Sequence, residues 1–414
     1  MKRKLIASGL AITLSILVFS CTESLTELNP QNAQNINQAG LSQPSNLSKT
    51  MVPDDAYIVV YKDQTSDKEL DTEVEDMDKS EGVKADHVYK AALKGYAARL
   101  TAKALVKLQK NPKVAYIEKD QEMSINATQN PTPSWGIDRI DQAALPLNSS
   151  YIYSADGSGV DAYIIDTGIL TTHTQFGGRA FGGYSAIGAT TNWTDQNGHG
   201  THVSGTVGGA TYGVAKNVNL IAVRVLDAAG SGSTSGVIAG INWAITDHTT
   251  RPAVANMSLG GGASTALDNA VKNAVLDGIV MCVAAGNNGR NASNYSPARV
   301  STAITVGASG AHPTLGTNYD AYASYSNYGS IVDIFAPGSS ITSAWFTSTT
   351  AVNTISGTSM ATPHVAGVAA LYKSKNPGAS PASVETALKA ASTKNKITGL
   401  PTGTANNLLF YSGY

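Results

Sequence analysis

Three features of the sequence predict an α/β protein built on a mostly parallel sheet covered on both faces. Continuous apolar, β-rich runs recur at 160–165, 219–226, 253–258 and 278–285. Segments of helical character lie between them, at 202–209, 234–247 and 263–277. Strands that are apolar throughout are buried on both sides, and the intervening helices supply the crossovers that parallel pairing requires. Composition is the third feature: 40 glycines and 14% charged residues in 414 suit closely packed layers and a loop-rich surface. The expected architecture is therefore a three-layer, doubly wound sheet, in which sites form at the carboxyl ends of the strands. A net charge of −1 gives no basis for a nucleic-acid or anionic-surface partner.

Taken in order, the chain opens with Lys2, Arg3 and Lys4 and an apolar run over 5–19, the pattern of a signal peptide ending at residue 21. Val18-Phe19-Ser20-Cys21 resembles a bacterial lipobox, whose cysteine is lipidated after cleavage. Phe19 is bulky for that motif, so ordinary secretion stays open, as does an incidental Cys21. Residues 22–50 are rich in Asn, Gln, Ser and Thr and read as a tether. Residues 51–126 read as a small α+β unit of ferredoxin-like type. Strands are expected at 56–61, from 87 onward and at 114–118, and the acidic stretch 67–78 reads as a solvated loop or helix face. Tyr96, Leu100, Ala104 and Leu108, spaced by four, predict a helix that Asn111-Pro112 ends. No reactive group stands out there, and His87 reads as a surface or packing residue. The polar 129–133 segment is exposed, and the main boundary falls near Asn126-Ala127, leaving 127–414 as the larger domain. Cys21 and Cys282 lie in such different contexts that no disulfide is expected, and Cys282, inside a buried strand, reads as inert.

The reactive side chains sit where these elements end. Asp166 follows a buried strand, in Ile165-Asp166-Thr167-Gly168. Asp-Thr-Gly is also the loop of aspartic proteases, but that chemistry needs a second such loop, and a helix cap is a third reading. His199 and His202, in Asn197-Gly198-His199-Gly200-Thr201-His202, could be two zinc ligands, although no third ligand and no water-activating Glu lie nearby; the flanking glycines fit an imidazole that needs room and a fixed approach, and packing of both rings is the weaker reading. Asn287, in Ala284-Ala285-Gly286-Asn287-Asn288-Gly289, can donate to a developing oxyanion; a left-handed turn residue is the other reading, and suits Asn288 better. Ser359 stands at the start of a buried helix over 360–373, after Gly357, which allows a tight turn, and before Pro363, which is tolerated in a first helical turn. It is either an N-cap or a nucleophile helped by the positive end of the helix. Ser258-Leu259-Gly260 could pair with an extended peptide that the loop containing Gly230 flanks on the other side, and a simple glycine-rich loop is the other reading of each.

Together, Asp166, His199 and Ser359 occur in the order Asp, His, Ser. From about residue 127 onward, through Asp-Thr-Gly, His-Gly-Thr-His, Ala-Ala-Gly-Asn and Gly-Thr-Ser-Met-Ala-Thr-Pro-His, the chain resembles the subtilisin-like serine proteases, in particular the proteinase K and aqualysin branch.

The resemblance implies a subtilisin-like fold and a secreted serine endopeptidase of broad specificity made as a self-processing zymogen. Asp166, His199 and Ser359 would be the triad and Asn287 an oxyanion donor. Gly230, Ser258, Leu259 and Gly260 would line the substrate cleft. Residues 51–126 resemble the inhibitor-like propeptide, which would be the intramolecular partner until cleavage. Protein substrates are implied, with a monomer and, should Cys21 be lipidated, transient membrane anchoring of the precursor. The resemblance also implies structural calcium and no catalytic metal. Asp333 with the carbonyls of Ser301 and Ala303 would form one site, and Asp138, Asp141 and Gln142 another, for which Asn148 and Ser150 stand where further partners are expected. Surface carboxylates paired with Arg139 or another cation are the competing reading. A catalytically inactive binding protein on the same fold is the alternative function.

Overall fold

The structure is a computed structural model that describes residues 55–124, 128–129, 135–148, 150–310 and 320–413. The expected signal peptide (1–21), the tether (22–50) and the Asn126-Ala127 junction lie outside these residues.

The N-terminal unit runs β1 (Ala56–Tyr61), α1 (Asp67–Glu81), β2 (Ala85–Tyr89), β3 (Gly95–Arg99), α2 (Ala102–Gln109), β4 (Val114–Lys119) and β5 (Glu122–Ser124). Its four-stranded sheet has the order β2-β3-β1-β4 and is antiparallel throughout. The acidic 67–78 stretch is helical, started by a reciprocal Ser66/Glu69 capping box. The expected helix through Tyr96 is corrected. Tyr96 lies in β3, and the helix starts only after Thr101, whose hydroxyl accepts from the Ala104 N–H. The four-residue spacing is a coincidence of two buried sets: Tyr96 and Ala98 face the same side of the sheet as Val59 and Tyr61, where Ala104 and Leu108 of α2 also pack. The opposite face of the sheet, with Ile58, Val60 and Ala97, packs on the larger domain.

The larger part begins with β6 (Thr128–Gln129), α3 (Gly136–Ile140), β7 (Asp161–Asp166), β8 (Ala180–Ser185), α4 (His199–Gly208), β9 (Asn219–Arg224), β10 (Ser231–Ser233) and α5 (Thr234–Asp247). It continues through β11 (Ala253–Met257), β12 (Gly261–Gly262), α6 (Thr265–Leu276), β13 (Val280–Ala284), β14 (Tyr295–Ser296), β15 (Ile304–Gly310), β16 (Ala321–Tyr322) and β17 (Ile334–Pro337). It closes with β18 (Ile341–Ala344), β19 (Val352–Ser356), α7 (Thr358–Lys375), α8 (Pro381–Ala391), β20 (Thr393–Lys394) and β21 (Asn407–Leu408).

The main sheet has the order β20-β21-β17-β15-β13-β11-β7-β9-β8, and every pair from β21 to β8 is parallel. Alternation along the strands builds the two flanking layers. Ala162, Ile164, Leu220 and Val254 face α4, α7 and α8, while Tyr163, Ile165, Val223 and Ala255 face α5 and α6. β8 and β9 lie on one side of β7 and β11 to β17 follow on the other, so the chain changes direction after β9 and β7 and β11 end beside each other at the switch point.

Candidate active site

Asp166 is the last residue of β7 and fully buried. Its Oδ1 accepts the Thr167 N–H at 2.8 Å and meets His199 Nδ1 at 2.8 Å. A carboxylate only accepts, so this contact places the imidazole proton on Nδ1 and leaves Nε2 as the basic nitrogen. His199 is the first residue of α4, three residues earlier than the sequence suggested. The preceding Gly198 has φ 109°, and a Cβ there would lie 2.6 Å from the Trp345 ring, so glycine is required on both counts. His199 Nε2 is buried and makes no hydrogen bond.

Ser359 is the second residue of α7, whose N-cap is Gly357. It therefore does not cap the helix, and Gly357 is nearly extended (φ 158°, ψ 162°) rather than in a tight turn. The Ser359 hydroxyl donates to the Ser258 carbonyl at 3.0 Å. Pro363 lies two residues further into the helix than expected and brings no N–H to the Ser359 carbonyl. The Ser258 hydroxyl donates to that carbonyl instead, at 2.7 Å, and itself accepts from Asn256 Nδ2. The end of β11 and the start of α7 are thus joined by two reciprocal hydrogen bonds. Helices α4 and α7 pack side by side, but no hydrogen bond joins Ser359 to His199.

Asn287 follows β13. Its Oδ1 accepts from the Thr358 N–H at 2.8 Å and the Thr358 hydroxyl at 2.9 Å, which fixes the amide plane with Nδ2 on the opposite side. Neither Asn287 nor Asn288 is left-handed; Gly286 and Gly289 take that conformation. Asn287 and Ser359 line a cavity of about 190 Å³ together with Leu259, Gly260, Ala284 and Tyr295. Thr358 was missed in the sequence, although it stands inside the Gly-Thr-Ser motif.

The tail of the N-terminal unit lies along this crevice. β5 pairs antiparallel with β10, Ser124 opposite Ser231, one residue beyond the expected Gly230, which sits in a turn at φ 77°. Gln121 Nε2 reaches the Ala263 carbonyl on the other side, three residues past Gly260. After the junction, β6 pairs with Ile355 and Ser356 on the strand leading into Gly357. Both flanks of the junction are therefore strand-paired, the first to β10 and the second to the strand that runs into α7.

The zinc reading of the histidine pair gains no support. His202 Nε2 lies 2.9 Å from the Ile341 carbonyl, and burial pushes the His202 pKa down to about 3. Among the described residues no group of three His, Cys, Asp or Glu side chains could hold a metal. The aspartic-protease reading fails as well, because Asp166 faces an imidazole rather than a second carboxylate. Cys282 is fully buried, and burial raises its thiol pKa far above the ordinary value.

The expected calcium ligands differ from one another. Asp333 is paired: Oδ1 with Lys389 Nζ at 2.9 Å and Oδ2 with the Thr305 N–H at 2.9 Å. That arrangement, the competing ion-pair reading, does not fit a cation held with the Ser301 and Ala303 carbonyls. Asp138, Asp141 and Gln142 lie together, Gln142 Nε2 bonding Asp138 Oδ1, while Asp141 Oδ1 is buried without a hydrogen-bond partner. Arg139 does not neutralise them; its guanidinium is held by both oxygens of Asp320.

Against this geometry, the Subtilase family profile (Peptidase S8) matches residues 157–408. The chain is a subtilase. The peptidase inhibitor I9 profile matches residues 56–126, so the N-terminal unit of this subtilase is an inhibitor-type propeptide. An "Extracellular serine proteinase" of Thermus sp. is 56% identical over 330 residues, covering 80% of this chain and 78% of the relative. An "Alkaline serine exoprotease A" of Vibrio alginolyticus is 46% identical over 387 residues, 89% of this chain and 70% of the relative. A crystal structure of a cold-adapted subtilisin-like serine proteinase superposes with a TM-score of 0.63 at 52% identity, over 67% of this chain and 97% of that one. The enzyme class follows: the subtilase is a serine-type endopeptidase with a subtilisin-like fold.

Proposed function

We propose that this subtilase is a secreted zymogen that frees itself by cleaving near Asn126-Ala127 and then hydrolyses protein substrates through an acyl-enzyme on Ser359. One observation carries the reading: the residues before and after the junction are strand-paired, to β10 and to the strand that runs into Ser359, in a chain that also forms the Asp166–His199 contact. Turning the Ser359 hydroxyl from the Ser258 carbonyl toward His199 Nε2 lets the imidazole take its proton as oxygen attacks the scissile carbonyl. Asp166 holds the Nδ1–H tautomer and stabilises the imidazolium, and His199 then returns the proton to the leaving amine. Asn287 Nδ2 and the Ser359 N–H would bind the oxyanion, an arrangement that the anchored Asn287 Oδ1 supports. Water then releases the acyl group by the same route.

The uncharged lining of the 190 Å³ cavity supports apolar or aromatic side chains before the scissile bond, with broad tolerance. Secretion is supported by the apolar 5–19 run and by the name of the Thermus relative. No helix among the described residues is long and apolar enough to cross a membrane. An anchor on Cys21 would leave with the propeptide. Calcium at Asp138, Asp141 and Gln142 is supported by hard oxygen donors and by the buried Asp141 oxygen that has no hydrogen-bond partner. A turn of the Gln142 amide would present its oxygen. The inactive alternative draws no support from the site.

An inhibitor panel tests the reading. A serine-directed phosphonate should abolish hydrolysis and add its mass to Ser359, a zinc-selective chelator should leave activity intact, and a calcium chelator should lower Tm before it lowers activity. Zinc-dependent activity, or a phosphonate adduct elsewhere, would refute it.

A further inference from the structure

We propose, resting on the reading above, that Asp195 is a positioning residue for the catalytic base, binding the helix that carries His199 to the strand that carries Asp166. Asp195 lies four residues before His199 and is 3% exposed. Its Oδ1 accepts from the Thr167 hydroxyl and from the Asn197 and Gly198 N–H groups, each at 2.9 Å. Its Oδ2 accepts from the Thr201 N–H at 2.9 Å and the Thr201 hydroxyl at 2.6 Å.

Five donors on one carboxylate, with the Arg224 guanidinium held on the neighbouring Thr194 and Gln196, account for its burial. They also say what it holds. Gly198 is the N-cap of α4 and has no side chain, so the first N–H groups of this helix need acceptors from elsewhere. Asn197 Oδ1 takes the His199 N–H at 3.2 Å, Thr167 Oγ1 takes the Gly200 N–H at 2.8 Å, and Asp195 takes that of Thr201. Thr167 is the neighbour of Asp166, and its hydroxyl both donates to Asp195 and accepts from Gly200. The bridge Thr167–Asp195–Thr201 therefore ties the end of β7 to the start of α4. It fixes the distance across which the Asp166–His199 hydrogen bond must form.

In Asp195→Asn one oxygen becomes an NH2 facing N–H and O–H donors, at nearly unchanged volume. Each variant is processed in trans by affinity-tagged wild-type enzyme, which is then removed. We expect Asp195→Asn to lose about 10²-fold in kcat with KM within about twofold of wild type. The low-field proton resonance of His199 Nδ1–H should shift upfield or broaden. Should Asp195→Asn not fold, Thr167 decides: Thr167→Val should lose kcat and the resonance in the same way, and Thr167→Ser should restore both. A folded Asp195→Asn or Thr167→Val with wild-type kcat, or with reduced kcat and an unchanged resonance, overturns the proposal. Phosphonate labelling of Ser359 in the wild-type chain separates the two claims. Without it the parent reading fails; with it, an unaffected Asp195→Asn refutes the positioning role alone.

Discussion

Asn287 owes its usefulness to one neighbour. Thr358 accounts for the carboxamide oxygen through two donors, so the amide cannot flip without losing both. Replacing Asn287 with Ala should lower kcat by about 10²–10³-fold with little change in KM, the loss that removing such a donor causes in subtilisin. Steady-state kinetics on a small amide substrate decides it; a change in KM alone would remove Asn287 from the oxyanion hole. The role of Thr358 was hidden because the sequence places it next to Ser359 without showing that it reaches Asn287, 71 residues away. Asp166, His199, Asn287 and Ser359 were legible for the opposite reason. Each stands within two residues of a glycine at one end of a buried element, where few side chains have room and most have none of their chemistry.

Elements reach across the two domains as well. The inhibitor sheet sends two carboxylates to helix starts of the larger domain, Asp120 to the Ser235 N–H of α5 at 2.8 Å and Glu118 to the Ser264 hydroxyl before α6. Negative charge is stabilised at helix N-termini. Asn242 adds a second clamp, its Oδ1 accepting the N–H groups of Lys90, Ala91 and Ala92 at 2.9–3.1 Å. Asn242→Leu leaves those three donors without an acceptor at the interface. It should weaken the cleaved propeptide by roughly 10- to 100-fold and shorten the lag before activity appears after processing. An unchanged lag would mean that the turn contributes nothing to retention. None of these contacts was legible. Asn242 reads as an ordinary polar position on a helix until the inhibitor turn is seated on it. The misplaced helix at Tyr96 has a related cause: periodicity reports burial, and a strand followed by a helix can bury residues four apart against the same face.

At the scale of the whole molecule, the continuous apolar runs of β7 and β9 and the intervening helices made the three-layer sheet legible, since a strand buried on both faces needs a layer of cover on each. The layers also enclose two histidines that charge poorly. Burial pushes His202 to about 3 and His364 to about 4, against 6.5 in the unfolded chain. The unfolded state therefore binds more protons below pH 6.5, and stability present above that pH is lost as pH falls. At pH 5 the two together should cost about 4 kcal/mol. Calorimetry of the Ser359→Ala protein should give a Tm several degrees lower at pH 5 than at pH 7, before most carboxylates titrate. A flat Tm across that interval would mean that one or both rings charge without unfolding.

The central claim is that the Ser359 hydroxyl, activated by His199, cuts the chain between the strand ending at Ser124 and the strand beginning at Thr128. Intact mass and N-terminal sequencing of wild-type and Ser359→Ala proteins, made after signal removal with no other protease present, test it directly. The wild type should show a new N-terminus within 125–128, and Ser359→Ala should remain a full-length precursor. Spontaneous cleavage of Ser359→Ala at the same bond would contradict the account.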